Sequence, residues 1–262
     1  MYVTINKKLL ILIITVISLI AVGSLGFIVY DKIIKTSETE KEYITVIKDE
    51  SIDINKLYKI GEILNKLDKA YGSSDSKYLG YIYSKPIIEV RDFDKDAAIF
   101  ASLYSDIIRS NTEQTISNDV IKNEYESIFG KTLKYKPNSL ELGENIKVEY
   151  DSTNKEYKYK ATITDNSNKN EYLARSMKTT IKEDTVVVTR KVFYVEYVGG
   201  YANIYTTSSK GDKVGNVSLK NGKISLKEVT GKYGSKLNTY DVTFKLGSDD
   251  EYSFYKIERT NK

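Results

Sequence analysis

The stretch whose reading decides the fold is VVVTRKVFYVEY, residues 186–197. β-Branched and aromatic residues dominate it and neither Gly nor Pro interrupts it, so it reads as the strongest strand of the chain. Its apolar residues change phase around 189–191, which predicts a bulge or a bend there. Downstream, strands are expected at 202–207, 214–219 and 224–229. Asn221-Gly222 between the last two is a type I′ turn signal, and a final hairpin pairs 239–246 with 252–258.

Upstream the alternation continues through Tyr157, Tyr159, Ala161 and Ile163, with a polar turn at 165–169. Before Gly130 the period is 3.6 instead of 2. Leu57, Ile60, Leu64, Leu67 and Tyr71 recur at helical spacing after Asp53 as N-cap, and the run stops at Gly72. A second helix is expected over 95–109, capped by Asp94 with Phe93 placed as a staple, and a third over 118–129, capped by Ser117 and closed by Gly130. Between the first two, residues 78–90 read as an extended segment or edge strand because Pro86 interrupts them. The fold class is therefore α+β: about three helices, then a multi-stranded antiparallel sheet, with a subdomain boundary near 130–139.

The opposite end of the chain carries LLILIITVISLIAVGSLGFIVY, residues 9–30, without a single charge. At 1.5 Å per residue it spans about 33 Å, enough for a bilayer core of about 30 Å. It reads as an N-terminal transmembrane helix acting as an uncleaved signal anchor; cleavage after Gly23 is the competing outcome, opposed by the apolar run continuing to Tyr30. The short basic tail 1–8 is expected inside the cell, residues 31–50 as a juxtamembrane stalk entering the body through a short strand at 43–47, and residues 51–262 as an extracytoplasmic domain.

Composition limits the chemistry. The 262 residues include no His, Cys or Trp, which excludes Ser-His-Asp triads, thiol nucleophiles, His- or Cys-ligated zinc and disulfides. The net charge is +4, from 40 basic and 36 acidic residues interleaved along the chain, so the footprint of a nucleic-acid binder is missing. The alternate acids Asp92, Asp94 and Asp96 resemble the start of a calcium loop, but Ala97 stands where its Gly belongs and Leu103 where its bidentate acid belongs; a capped helix N-terminus accounts for them better. Ser74–Lys77 and Ser152–Lys155 match S-x-x-K without the helix start or the K-T-G that this chemistry requires. Glu149, Asp151, Glu196 and Glu228 are candidates for a carboxylate-dependent envelope hydrolase, with nothing in the sequence to rank them. No catalytic residue, cofactor or metal is assigned, and the chain is expected not to be an enzyme.

Tyr is unusually abundant, 23 against 7 Phe. The densest group, Tyr194, Tyr197, Tyr201 and Tyr205 around Gly199-Gly200, includes both parities of a strand, so part of it is expected to face a partner.

The order of a membrane anchor, three helices and a curved antiparallel sheet over 52–259 resembles the NTF2-like or cystatin-like extracytoplasmic domains of low-GC Gram-positive envelope proteins. That resemblance implies a non-catalytic pocket or a protein-contact module. Locally, Asn203-Ile204-Tyr205, Lys213-Val214-Gly215 and Asn221-Gly222-Lys223-Ile224 are similar to bacterial SH3-like wall-binding modules, which would make residues 201–262 a glycan-binding part. The expectation is a single-pass membrane protein of the cell envelope whose outer domain binds an envelope protein or a cell-wall glycan.

Overall fold

In the computed structural model, residues 46–47, 53–72, 77–107, 112–142, 146–161 and 170–261 are described. The predicted tail 1–8, the transmembrane segment 9–30 and nearly all of the stalk 31–50 lie outside them. Among the described residues no helix is long and apolar enough to cross a membrane.

The elements in chain order are β1 (Val46–Ile47), α1 (Ile54–Gly72), β2 (Ile87–Glu89), α2 (Lys95–Ile107), β3 (Gln114–Ser117), α3 (Asn118–Phe129), β4 (Leu140–Glu141), β5 (Ile146–Asp151), β6 (Glu156–Ala161), β7 (Glu171–Lys182), β8 (Thr185–Val198), β9 (Tyr201–Tyr205), β10 (Lys213–Ser218), α4 (Leu226–Tyr233), β11 (Asn238–Leu246) and β12 (Tyr252–Arg259). The three expected helices form where their caps place them. The Asp53 carboxylate accepts from the Asn55 amide at 2.9 Å, Asp94 from Ala97 at 2.8 Å and Ser117 Oγ from Asp119 at 3.3 Å. Gly130 ends α3 at φ 67°, a conformation that glycine adopts without steric cost.

Two sheets, not one, follow from the strands. The larger has eight strands in the order β1-β7-β8-β11-β12-β2, and β9 and β10 branch from β8; the smaller runs β3-β6-β5-β4. One edge of β8 pairs with β7 over nearly its whole length. The other edge pairs with β11 through residues 185–192 and then with β9 through 194–198. The strands of 201–262 thus take their places from β8, which lies before that span, and not from one another alone. The segment broken by Pro86 becomes a 3-10 turn at Tyr81–Tyr83 and the edge strand β2, and ends in a second 3-10 turn at Val90–Asp92. Of the expected entry strand, Val46 and Ile47 pair in parallel with Thr179 and Thr180.

Two expectations are corrected. The bulge predicted in 189–191 lies instead in the neighbouring strand, where the register of β7 shifts between Ser176 and Lys178; β8 itself pairs with β11 without interruption. The apparent change of phase came from Arg190, a charged residue that keeps the inward parity of Val186, Val188 and Val192 and is 1% exposed. The strand expected at 224–229 is the helix α4. Asn221 and Gly222 do make the turn, both at positive φ, with Lys220 and Lys223 exchanging backbone hydrogen bonds. But Ser225 Oγ then accepts from the Glu228 amide and starts a helix that buries Val229 and Thr230.

Helices α1 and α3 lie against the inner face of the large sheet at β7 and β12, α2 packs on both of them and reaches β6 of the small sheet, and the space between is filled with rings. Phe93 lies 4.9 Å from Phe129 and 5.6 Å from Phe254, and Tyr71 lies 6.1 Å from Phe93. Tyr71 is fully buried with its hydroxyl donating to the Ala97 carbonyl at 2.8 Å. A second apolar cluster sits on the other face, where α4 brings Val229 against Phe193, Val195, Ile204 and Leu237. This is why β8 is buried on both faces from Val192 to Val195.

Arg190 is held by Asp68 of α1, its Nη1 and Nη2 each donating to one carboxylate oxygen at 2.6 Å. Removing one partner of such a pair leaves the other charge inside without compensation. Asp68→Ala is expected to cost about 3 kcal/mol or more in urea unfolding, whereas the paired replacement Asp68→Leu with Arg190→Met recovers most of that loss.

Candidate contact surfaces

The tyrosine group falls on the hairpin formed by the end of β8 and β9, whose tip is Gly199-Gly200. Register places Tyr194 opposite Tyr205, Tyr197 opposite Ala202 and Val198 opposite Tyr201. Tyr194 and Tyr205 share the inner parity and are buried, with their rings 6.5 Å apart and the Tyr172 ring 5.2 Å from Tyr194. Tyr197 has the opposite parity and packs against the cluster under α4, its hydroxyl donating to Glu171 at 2.6 Å. Only Tyr201 stands clear, 43% exposed beside Val198 at 37%. Of the four candidates, three therefore belong to the packed sheet, and the accessible part narrows to Val198 and Tyr201 at the tip.

Two carboxylates beside these rings have opposite electrostatics. Glu196 accepts from the Tyr205 hydroxyl at 2.9 Å and the Asn203 amide at 3.2 Å and pairs with Lys210 Nζ. The lysine and these donors hold it at about 2, below the usual range. Glu171 is half-buried, and loss of hydration raises its pKa although the Tyr197 hydroxyl works against that rise.

Sequence reasoning missed a second surface. The N-terminal turn of α1, the end of α3 with the loop after it and the β11–β12 hairpin tip enclose an open groove of about 1020 Å³. Its lining mixes apolar side chains such as Val90 and Phe129 with two ion pairs: Lys56 pairs with Asp250 at 2.6 Å and Lys131 with Asp249 at 3.3 Å, and the Lys131 ammonium lowers the pKa of Asp249. Nothing in the one-dimensional pattern joins these segments, because the groove exists only once α1 and α3 lie over the hairpin.

The acids singled out from the sequence do not line this groove. Glu149 pairs with Lys147, Asp151 accepts from Lys158 Nζ at 2.9 Å and closes a turn through the Thr153 and Asn154 amides, and Glu228 pairs with Lys220 at 3.3 Å. The aspartates of 92–96 diverge: Asp92 faces Arg91, Asp94 caps α2 and Asp96 accepts from the Asn138 side chain at 3.1 Å. Among the described residues no group of three acids is gathered to hold a metal ion. Ser152 and Lys155 lie in the β5–β6 turn with Lys155 at φ 53°, and Ser74 lies outside the described residues. No protein-family model, curated protein or solved structure matches the chain.

The two carboxylates give a paired prediction. The folded pKa of Glu171 is raised, so its charged form disfavours folding increasingly as pH climbs above its unfolded value near 4.5. Glu171→Gln is expected to raise the thermal midpoint at pH 7 and to leave it unchanged below pH 4. Glu196 is depressed, so its contribution is present above about 4.5 and is lost as pH falls toward 2. Glu196→Gln should lower the midpoint at pH 7, with the difference closing in acid.

Proposed function

We propose that the chain is a membrane-anchored, extracytoplasmic, non-enzymatic contact domain of the cell envelope. Residues 9–30 hold it in the bilayer, the stalk raises it, and the body at 51–262 engages an envelope protein or a cell-wall glycan through its surface. The observation that carries this reading is the filled interior: the face of the sheet that a pocket-type domain would leave open is occupied by Tyr71, Phe93, Phe129 and Phe254. The accessible surface includes the Val198–Tyr201 tip and the groove, beside exposed side chains on the helices such as Tyr58 and Val120. An exposed aromatic on a rigid hairpin supplies contact area at small conformational cost.

Protease shaving of intact cells tests the topology. The body should be digested alongside exported controls, and its survival would count against the outside location. Pull-down on purified cell wall separates the glycan from the protein partner. If the tip is the contact, Tyr201→Ala lowers retention about tenfold or more, the loss of one central aromatic anchor, while leaving the urea midpoint unchanged. Tyr205→Phe, which removes only the buried hydroxyl bonded to Glu196, should leave retention intact.

A further inference from the structure

Four pieces of the chain meet at one end of the body. Lys56 in the first turn of α1 reaches Asp250 at the β11–β12 tip at 2.6 Å. Leu246, just before that tip, donates its amide to the Asp184 carbonyl in the β7–β8 turn at 2.7 Å. A few residues before that turn, β1 lies along Thr179 and Thr180 of β7. The chain coming from residues 9–30 therefore enters the body at this end. The Val198–Tyr201 tip is at the opposite end of β8, whose 14 residues span roughly 45 Å.

This end carries the two most exposed large apolar side chains among the described residues, Ile54 at 57% and Tyr58 at 59%. They stand one helical turn apart on α1, and Gly61 continues the same flank with open space where a side chain would be. Lys66 pairs with Glu124 of α3 on the other flank, so the ridge is turned away from α3. On β7, Lys178 and Lys182 stand exposed on either side of the residues that pair with β1. Neither meets a carboxylate among the described residues, and Asp184 in the turn beside them is occupied by Lys245 at 3.6 Å.

Fifteen residues, 31–45, separate the apolar stretch 9–30 from β1. Fully extended they reach roughly 50 Å, so this end stays close to the bilayer surface at high effective concentration. Single exposed apolar residues are ordinary on a protein surface. A pair at helical spacing, with unpaired lysines nearby and at the tethered end, matches a lipid surface: isoleucine and tyrosine suit the headgroup boundary and ammonium groups suit anionic lipid.

We propose that this end of the body rests on the bilayer that holds the anchor, with Ile54 and Tyr58 in the headgroup boundary and Lys178 and Lys182 facing anionic lipid. The inference rests on the anchoring of residues 9–30. Docked in this way, the body points its Val198–Tyr201 tip away from the membrane, toward an envelope partner.

The chain has no Cys, so one fluorophore on Gly61→Cys or on Tyr201→Cys reports a single position. The labelled full chain is reconstituted at low protein density into phosphatidylcholine vesicles containing about one third phosphatidylglycerol and some lipid with a nitroxide headgroup as quencher. The label at 61 is expected to be quenched several-fold more than the label at 201. Ile54→Ser with Tyr58→Ser should bring quenching at 61 down to the level at 201 and leave the urea midpoint unchanged, because both side chains are exposed. Lys178→Gln with Lys182→Gln should lower it in these vesicles and have no effect in pure phosphatidylcholine. Equal quenching at the two positions, no response to the double serine variant, or quenching at 61 that appears only at high protein density, the mark of a second copy on the ridge, would overturn the docking. Washing the vesicles with alkaline carbonate reads the anchor separately. Release of the chain removes the anchor and the docking together, whereas retention with equal quenching removes the docking alone.

Discussion

The structure depends on a guanidinium placed where a valine would be expected. Arg190 sits on the inward face of the central strand, and its charge cannot be left in an apolar interior without a partner. Asp68 supplies it through two hydrogen bonds of 2.6 Å, a planar fork that fixes both the distance and the rotation of α1 over β8. Around that pair the next shell is also polar at its tips and apolar in its bodies. The Tyr83 hydroxyl reaches Asp68 at 3.3 Å, while its ring lies 5.1 Å from Tyr240 and 5.6 Å from Tyr172. An apolar core alone would let the helix slide by a turn. The ion pair makes one register far better than its neighbours, which we regard as its main contribution, since burying two charges is itself costly.

From that fixed contact the rest of the architecture follows. With α1 seated, Phe93 and Phe129 fill the inner face against Phe254, and the far half of β8 leaves β11 and takes β9 as its neighbour. The outer face is left to α4 at one end and to a solvated field of Thr and Lys at the other. A domain built this way presents hairpin tips and a groove at its surface. Among the described residues the space between the helices and the sheet is filled by packed side chains, and this underlies the proposal of a tethered contact domain.

Much of this was legible in the residues. Local signals with a single physical cause were read correctly: Asp53, Asp94 and Ser117 as caps, Gly130 as a helix end, Asn221-Gly222 as a turn and the terminal hairpin. The failures share a different character. Arg190 reads as a break in alternation, because charge is an unreliable marker of the outward face when the partner lies more than a hundred residues away. Residues 224–229 are ambiguous in sequence because Ile224 and Leu226 alternate as in a strand whereas Leu226 and Val229 stand at helical spacing, and the Ser225–Glu228 spacing of a helix start decides between them. For the tyrosines, parity showed that they face both ways, but which face α4 covers is a tertiary fact. The groove arises from chain crossings and has no sequence signal at all.

The central claim is that the helix layer and β8 form one cooperative body keyed by Arg190 and Asp68, with no chamber between them. Native-state hydrogen exchange across a urea series measures this most directly. The account predicts that the amides of α1 around Asp68 and those of β8 around Arg190 become exchangeable together, in the same opening and with the free energy of global unfolding. Exchange of the α1 amides through a separate, much cheaper opening while β8 stays protected would mean that the helices lift from the sheet, and would contradict it.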